Sequence, residues 1–291
     1  MPRLADARAR IGGWLACPMC QRALTDSGQV LACPGCRRRW PQTGEFIDLL
    51  PADTPETASG AWAARQRAMA DSYHALVADP AHAVLAYRSD LEPCRVRLAG
   101  SSGRVLDIGG GNGLVRDVLP RDVDYVSLDP LIEWLDESWN VIADDFPCLR
   151  QPLQFVRGLA EHLPFADRTF DTVLSFWSLN HCADPQRAIA EIARVIRPSG
   201  RFVLVLEEVE PPWRDLLSRA YVDHRSWTRQ RLAWEKLIAL VKGWPLQPDH
   251  LPISESDVTR WTRGLFSVLF RAWHGSYLTL ELSRSPSRSS G

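Results

Sequence analysis

The sequence lacks a long apolar run, and this absence excludes a protein that spans a membrane with an apolar helix. No stretch approaches the roughly 18 consecutive apolar residues that a membrane-spanning helix needs. Arg3, Asp6, Arg8 and Arg10 precede an apolar run that is too short for the core of a signal peptide. We therefore predict a soluble, cytoplasmic protein.

The chain is also poor in lysine and has no block of like charge. Lys236 and Lys242 are the only lysines among 34 basic residues, and 35 acidic residues bring the formal net charge to -1. This balance gives no overall electrostatic argument for binding to nucleic acid or to a membrane surface. With 291 residues, of which 45% are hydrophobic, the chain is long enough for one α/β domain and a small satellite unit.

A disulfide framework is absent as well, because the cysteines have the spacing of metal ligands. Four of the seven cysteines form two Cys-x2-Cys pairs that are twelve residues apart: Cys17, Cys20, Cys33 and Cys36. Each pair supplies two thiolates from one tight bend, and tetrahedral Zn²⁺ takes four such ligands. Four thiolates close the coordination shell, so the predicted zinc is structural. The alternative is four structural cysteines without a ligand.

A glycine-rich stretch follows a short apolar strand in the first half of the chain. The strand is 103–108, and Gly109, Gly111 and Gly113 come after it at alternate positions. Glycines at these positions let a ligand approach the main chain closely. A dinucleotide-binding fingerprint is excluded, since it needs Gly or Ala where this chain has Leu114. A glycine turn that binds no ligand remains the alternative.

The pattern Asp-x-Gly-x-Gly-x-Gly that starts at Asp107 resembles motif I of class I S-adenosylmethionine-dependent methyltransferases. The resemblance implies an α/β fold with a Rossmann-like seven-stranded methyltransferase sheet and S-adenosylmethionine as the cofactor. It also implies that the whole loop binds this cofactor, including Gly110 and Asn112. A carboxylate at the strand tip suits the ammonium group of the cofactor, whereas it would repel a pyrophosphate.

The next predicted strand ends in a second acidic residue. Asp129 follows Asp107 by 22 residues and closes the stretch 124–129. In adenosine cofactors an acidic residue at this tip accepts hydrogen bonds from the ribose hydroxyls. We predict this role for Asp129, and an exposed surface carboxylate before Pro130 is the alternative.

A third motif, Leu159-Ala-Glu-His-Leu-Pro-Phe165, resembles the family sequence Asp-Ala-Glu-x-Leu-Pro-Phe. Leu159 replaces the family's Asp, which takes the adenine amino group. The resemblance therefore implies that adenine rests on the backbone of Ala160 and on apolar walls. We expect Glu161 and His162 to face solvent.

Two more residues are candidates for the site. The stretch 61–85 predicts one or two Ala-rich helices, which cover the methionine end of the cofactor in related enzymes, and Tyr73 is the candidate there. Simple packing is the alternative for this ring. His181 follows a predicted strand that starts at Phe170, and an imidazole near neutral pKa suits a general base. It could equally be a structural histidine that holds its own loop.

The motifs divide the chain into units. We predict a zinc ribbon at 1–50, a linker with cofactor-covering helices at 51–95, the methyltransferase domain at 96–282 with a Trp-rich helical lid insertion at 208–262, and a disordered tail at 283–291. The ribbon is similar to that of the small tRNA-methyltransferase activator subunit and to that of rRNA guanine methyltransferases. The Trp-rich insertion has an alternative as the ordinary core of a helical subdomain. We expect that removal of 1–50 spares cofactor binding.

The leading functional hypothesis is methyl transfer to a small molecule. The second is an RNA base methyltransferase whose ribbon grips RNA, which Arg37, Arg38 and Arg39 favour. The sequence has no Asn/Asp-Pro-Pro-Tyr motif of amino methylation. The third is a non-catalytic interaction protein, against which the intact Asp107 and Asp129 argue.

Overall fold

The computed structural model describes residues 9–42, 46–54, 57, 60–207, 251, 253–274 and 277–285. Its strands are β1 (Thr25–Asp26), β2 (Val30–Ala32), β3 (Arg39–Pro41), β4 (Ile47–Asp48), β5 (Arg104–Ile108), β6 (Asp124–Asp129), β7 (Phe155–Arg157), β8 (Phe170–Phe176), β9 (Ile196–Leu206), β10 (Phe266–His274) and β11 (Tyr277–Arg284).

The described helices are α1 (Gly60–Val77), α2 (Pro80–Leu91), α3 (Arg95–Ala99), α4 (Pro185–Val195) and α5 (Glu255–Thr262). Helices α1 and α2 correspond to the one or two helices expected over 61–85, and α2 continues to Leu91. Short 3₁₀ turns lie before and between these strands and helices, at Gly12–Trp14, Glu92–Cys94, Leu114–Asp117, Glu133–Leu135, Glu137–Ile142, Pro147–Arg150 and Leu179–His181.

Eight strands form one sheet, in the order β10-β11-β9-β8-β5-β6-β7-β4. Strands β4 to β9 are parallel, and β11 and β10 are added antiparallel at one edge. The Rossmann-like methyltransferase sheet expected from the sequence is therefore present. An eighth strand, β4, extends the seven expected ones beside β7, because Ile47 and Asp48 pair with Val156 and Arg157. All the parallel strands end at the same edge of the sheet.

Both faces of the sheet are covered, as parallel strands require. On one face, Leu106 and Ile108 of β5 pack in a core with helix α4 and with the N-terminal residues. On the other face, Val105 packs in a second core with α2, α3 and the 3₁₀ turns. Helix α4 begins as its sequence predicts, because Asp184 caps it by accepting a hydrogen bond from the Arg187 N–H.

The N-terminal residues 9–42 and 46–49, here called the four-cysteine unit, do not form a separate core. Strands β1, β2 and β3 form a small antiparallel sheet of their own. The ring of Trp14 contacts Phe170 edge to face, with the ring centroids 6.0 Å apart. Leu15 forms an antiparallel bridge with Phe165, which is fully buried. The expectation that removal of residues 1–50 spares cofactor binding stays a prediction, and this shared packing argues against it.

The C-terminal end differs from expectation. Ser283 and Arg284 continue strand β11, although the sequence predicts a disordered tail from 283. The Arg284 guanidinium holds them in place by donating to the carbonyl oxygens of Ala193 and Leu265, both at 2.8 Å. Most of the predicted lid insertion, 208–250, lies outside the described residues. Its end is helix α5, whose Val258 is buried.

Every helix in the part of the chain that the structure describes is too short or too polar to span a lipid bilayer.

Candidate functional site

A cavity opens at the edge where the parallel strands end, as is usual for open α/β sheets. It encloses about 920 Å³ of empty space, its open mouth included. Its walls come from α1, α2, the loop after β5, the end of β6, the stretch after β7 and the exit of β8.

The glycines of the loop after β5 are required by close contacts. Gly109 has a φ of 67°, and a Cβ there would lie 2.2 Å from the Cβ of Ser178. Ser178 also donates a hydrogen bond to the Ile108 carbonyl at 2.7 Å, which ties the exit of β8 to the loop. Gly111 has a φ of 49°, and a Cβ there would lie 2.9 Å from the ring of Trp134. Side chains at either position would push the cavity walls apart.

Nine of the ten residues that the sequence predicts for catalysis and cofactor binding line this cavity, namely Tyr73, Asp107, Gly109, Gly110, Gly111, Asn112, Asp129, Ala160 and His181. Gly113 does not. It has a φ of 74°, and a Cβ there would meet Leu153 and the Arg116 side chain at 2.9 Å. Gly113 therefore allows the tight turn behind the cavity and is not part of the cavity wall.

Asp107 and Asp129 are both buried at the strand tips, with exposed fractions of 1% and 2%. Asp107 accepts a hydrogen bond of 2.6 Å from the Tyr125 hydroxyl. Asp129 accepts hydrogen bonds from the N–H groups of Gly111, at 3.2 Å, and Leu131, at 2.9 Å. Burial raises the pKa of each carboxyl to about 7, against the lowering effect of these hydrogen bonds. The surface alternative for Asp129 does not agree with this placement.

Four buried polar atoms of the cavity-lining residues have no hydrogen-bond partner among the described residues. Two are the indole nitrogens of Trp134 and Trp177, both donors. The other pair is Nδ2 of Asn112, a donor, and Oε1 of Gln66, an acceptor, and the side chains of this pair are buried. A buried polar group without a partner is costly, so such atoms mark places where a ligand can bind. A ligand with both acceptors and donors, such as an amino-acid moiety or a nucleobase, fits this pair.

Aromatic rings cover the glycine loop. Tyr73 of α1 contacts Trp134 with the ring centroids 4.2 Å apart, and Trp134 in turn lies against Gly111. Trp139 is 5.2 Å from Trp134 on the other side. Tyr73 therefore packs against neighbouring rings and also lines the cavity, and its role over the methionine end of the cofactor stays a prediction.

The stretch after β7 forms the next wall, with Leu159 and Ala160. Glu161 and His162 do not face solvent as expected, since their exposed fractions are 2% and 3%. The carboxylate of Glu161 accepts hydrogen bonds from the N–H groups of Ala183, at 2.6 Å, and Asp184, at 3.2 Å. Glu161 is therefore buried because it holds the loop that carries His181.

The imidazole of His181 lies close to the carboxylate of Glu207. Its Nε2 lies 3.8 Å from Oε1 of Glu207, and both side chains are mostly buried. Burial, and after it the negative charge of Glu207, raises the pKa of Asp90 in α2 to about 6. The neighbouring Asn180 amide donates to the carbonyl oxygens of Glu207 and Leu251, at 3.1 and 3.4 Å. These contacts fix the loop and also place its imidazole at the cavity.

The sequence interpretation missed Trp134 and Glu207. Glu207 directly follows β9, so the rule that identified Asp107 and Asp129 at strand tips applies to it as well. Trp177 follows β8 and has a φ of 53°, an uncommon value for a residue with a side chain. No sequence signal marks Trp134, because its position over Gly111 depends on the path of the 3₁₀ turns.

The four cysteines of the N-terminal unit lie together. Their sulfur atoms are all within 4.8 Å of one another, and the Cys17–Cys36 and Cys20–Cys33 pairs are 3.5 and 3.4 Å apart. A tetrahedral ion with bonds of about 2.3 Å needs sulfurs just under about 4 Å apart, so the cluster fits such an ion.

The sheet order and the glycine loop at the carboxyl edge define a Rossmann-like methyltransferase fold. A family model for the methyltransferase domain matches residues 106–204. A demethylmenaquinone methyltransferase of Renibacterium salmoninarum is 30% identical over 195 residues, which cover 61% of this chain and 73% of that protein. The chain therefore belongs to the S-adenosylmethionine-dependent methyltransferase family.

Other similar proteins match shorter or more distant regions. An uncharacterized methyltransferase of Mycobacterium tuberculosis is 39% identical over 111 residues, which cover 37% of this chain and 41% of that relative. The chain thus spans less than half of that relative's length. The solved 1,6-didemethyltoxoflavin-N1-methyltransferase of Burkholderia thailandensis superposes with a TM-score of 0.51 at 18% identity, covering 81% of this chain and 94% of that one. That likeness shows the fold.

The raised pKa of Asp129 gives a prediction about pH. A carboxyl whose folded pKa of about 7 lies above its ordinary value binds more protons in the folded state, so the free energy of unfolding falls as pH rises toward 7. Asp129→Asn removes the titrating carboxyl and therefore this fall in the free energy of unfolding. We expect the stability of the variant relative to the parent to increase by at least about 1.4 kcal/mol, one pKa unit, between about pH 5 and about pH 8 in urea unfolding.

Asp124→Asn is the matched control, since Asp124 is exposed at the other end of strand β6. It should show no comparable change with pH. A stability difference for Asp129→Asn that is the same at both pH values would contradict a buried carboxyl with a raised pKa at this strand tip.

Proposed function

We propose that the chain transfers a methyl group from S-adenosylmethionine to a small, flat acceptor molecule. The observation that supports this most strongly is a single cavity that joins two kinds of wall. One wall has the glycine loop and Asp129, which suit the cofactor. The other has the aromatic rings of Trp62, Tyr87 and Trp177, which suit an apolar ring system.

In this proposal, the cofactor-binding residues are those that the sequence suggested and the cavity brings together. Asp129 accepts hydrogen bonds from the ribose hydroxyls, and the glycine loop and Asp107 hold the amino-acid end. Asn112 supplies its unpartnered donor to that end. Ala160 and Leu159 form the apolar wall for adenine, and Tyr73 covers the opening.

S-adenosylmethionine, when bound, supplies a methyl group that is already activated for displacement, so few catalytic side chains are required. The chain's own residues align the acceptor and exclude water. We assign His181 as the base that accepts the acceptor's proton. Oε1 of Glu207 lies 3.8 Å from Nε2 of this imidazole.

A small acceptor agrees better with the structure than RNA does. Arg38 and Arg39 line a separate shallow depression on the four-cysteine unit, which shares no residue with the cofactor cavity. Arg38 also forms an ion pair with Asp53. Relatives named as demethylmenaquinone methyltransferases support a flat acceptor. The lid role of 208–262 stays a prediction.

We also propose that Cys17, Cys20, Cys33 and Cys36 bind one structural Zn²⁺. The cluster of four sulfurs supports this, and closed coordination by thiolates leaves no position for substrate.

The first prediction of this proposal concerns the cofactor. In calorimetry the protein should bind S-adenosylhomocysteine and not NAD. Asp129→Ala should weaken this binding by about 1.5–3 kcal/mol, the scale of hydrogen bonds to a charged acceptor. Asp124→Ala, on the same strand but exposed, is the control and should bind like the parent. Equal affinity of the parent and Asp129→Ala would remove Asp129 from the site.

The second prediction concerns the acceptor. With S-adenosylmethionine labelled on the methyl group and an extract separated into RNA, protein and low-mass fractions, we expect the label in the low-mass fraction. His181→Gln should lower this transfer, because the variant lacks the base that accepts the acceptor's proton. Label that appears mainly in RNA would overturn the small-molecule proposal.

The third prediction concerns the metal. Elemental analysis should give about one zinc per chain, and a variant with both Cys17→Ser and Cys33→Ser should lose it. A control with Cys94→Ser, a buried cysteine outside the cluster, should keep the metal. Zinc that stays bound after removal of two cluster thiols would contradict the assignment.

A further inference from the structure

The cavity wall formed by Leu159, Ala160 and Glu161 is a loop with two arms. Its incoming arm is strand β7, and its outgoing arm is the stretch 164–166. Both arms are bonded to the four-cysteine unit, although the unit itself contributes no residue to the cavity lining.

The incoming arm is held by the last residues of the unit. Strand β4 pairs with β7 in parallel, and the Leu49 N–H donates to the Arg157 carbonyl at 2.9 Å. The Arg157 guanidinium reaches the carboxylate of Asp48 at 3.2 Å and also donates to the Pro130 carbonyl at 3.0 Å. Pro130 follows Asp129, so this arginine links the unit to the ends of β6 and β7, which border the cavity.

The outgoing arm is held by the residues just before the first cysteine. The Ala16 N–H donates to the Pro164 carbonyl at 3.0 Å, and the Ala166 N–H donates to the Trp14 carbonyl at 2.8 Å. Leu15, between these two bonds, is buried in the shared core. Cys17 is the next residue, so a metal ligand lies one residue from the bond that fixes the outgoing arm.

A buried side chain connects the other half of the cysteine cluster to the incoming arm. Cys36 leads into β3, which is followed by Gln42. The Gln42 side-chain amide donates to the Asp48 carbonyl at 2.7 Å and accepts from the Asp48 N–H at 3.0 Å. Cys17 lies next to the residues that hold the outgoing arm. Cys36 lies on the segment that leads through Gln42 to Asp48 and so to the incoming arm. The cysteine cluster therefore connects the two arms. A metal ion bound by all four cysteines closes this connection into a ring around the loop.

We infer that the four-cysteine unit is a positioning element for the cofactor site: its metal holds the two arms of the loop 157–166 together and so sets the wall at Leu159 and Ala160. The unit acts on cofactor affinity through Trp14, Ala16, Gln42 and Asp48, and has no need to touch the acceptor. This inference rests on the proposed function, since it takes the cavity to be the site of S-adenosylmethionine and the cluster to hold zinc.

The contacts also extend the effect to the acceptor side. Glu161, in the middle of the loop, accepts hydrogen bonds from Ala183 and Asp184, which follow His181. A loop that loses its two anchors loosens this connection as well. Cofactor affinity is the direct measure, because Leu159 and Ala160 lie in the wall itself.

The test uses the full chain and compares four proteins by calorimetry with S-adenosylhomocysteine: the zinc-loaded parent, the parent after removal of zinc by a chelator, Gln42→Ala and Gln29→Ala. We expect zinc removal to weaken binding by at least about tenfold. Gln42→Ala should keep its zinc and still bind at least about threefold more weakly, because the Asp48 backbone loses its partner. Gln29→Ala, exposed in the same unit, should bind like the parent.

Hydrogen exchange supplies a second readout that does not depend on binding. In Gln42→Ala, peptides that cover 157–166 should exchange faster, whereas peptides from β5 and β8 should not change. Parent-like affinity and exchange in Gln42→Ala, with zinc retained, would overturn the inference. So would zinc-free protein that keeps its secondary structure and binds with unchanged affinity.

The outcomes separate this inference from the proposal on which it rests. Zinc-loaded parent that does not bind S-adenosylhomocysteine would refute the proposed function and the inference with it. Parent that binds tightly but does not respond to zinc removal or to Gln42→Ala would refute the inference alone.

Discussion

The burial of two carboxyl groups at neighbouring strand tips is the constraint on which the site depends. Asp107 and Asp129 are almost completely removed from water, and the hydrogen bonds from Tyr125, Gly111 and Leu131 offset only part of the cost, as their raised pKa values show. A protein retains such groups where a ligand completes their environment. The glycine loop and the aromatic cover keep the space between them open for that ligand.

A second constraint is that irregular backbone forms most of the cavity wall, and such backbone needs anchors. Ser178 anchors the exit of β8 to the glycine loop, Glu161 anchors the loop with His181, and the four-cysteine unit anchors the stretch after β7. The N-terminal unit thus belongs to the same packed body as the sheet. This explains why a unit with so little apolar surface is stable there.

Much of the fold follows from local patterns in the sequence. The strands β5, β6 and β8 and the capped helix α4 are legible because parallel strands are continuously apolar and helix starts have their own residues. The tips of the strands locate Asp107 and Asp129 for the same reason. The burial of Glu161, the eighth strand β4 and the position of Trp134 were not predicted, because each depends on contacts between segments that are far apart in the chain.

The most direct measurement is a crystal structure of the protein with S-adenosylhomocysteine. It should show both ribose hydroxyls within hydrogen-bonding distance of the Asp129 carboxylate, adenine against Leu159 and Ala160, and the amino-acid end between Asp107 and Asn112. The sulfur should then face His181 across the cavity. Ligand that binds elsewhere, or that leaves Asp129 without a contact, would contradict the account.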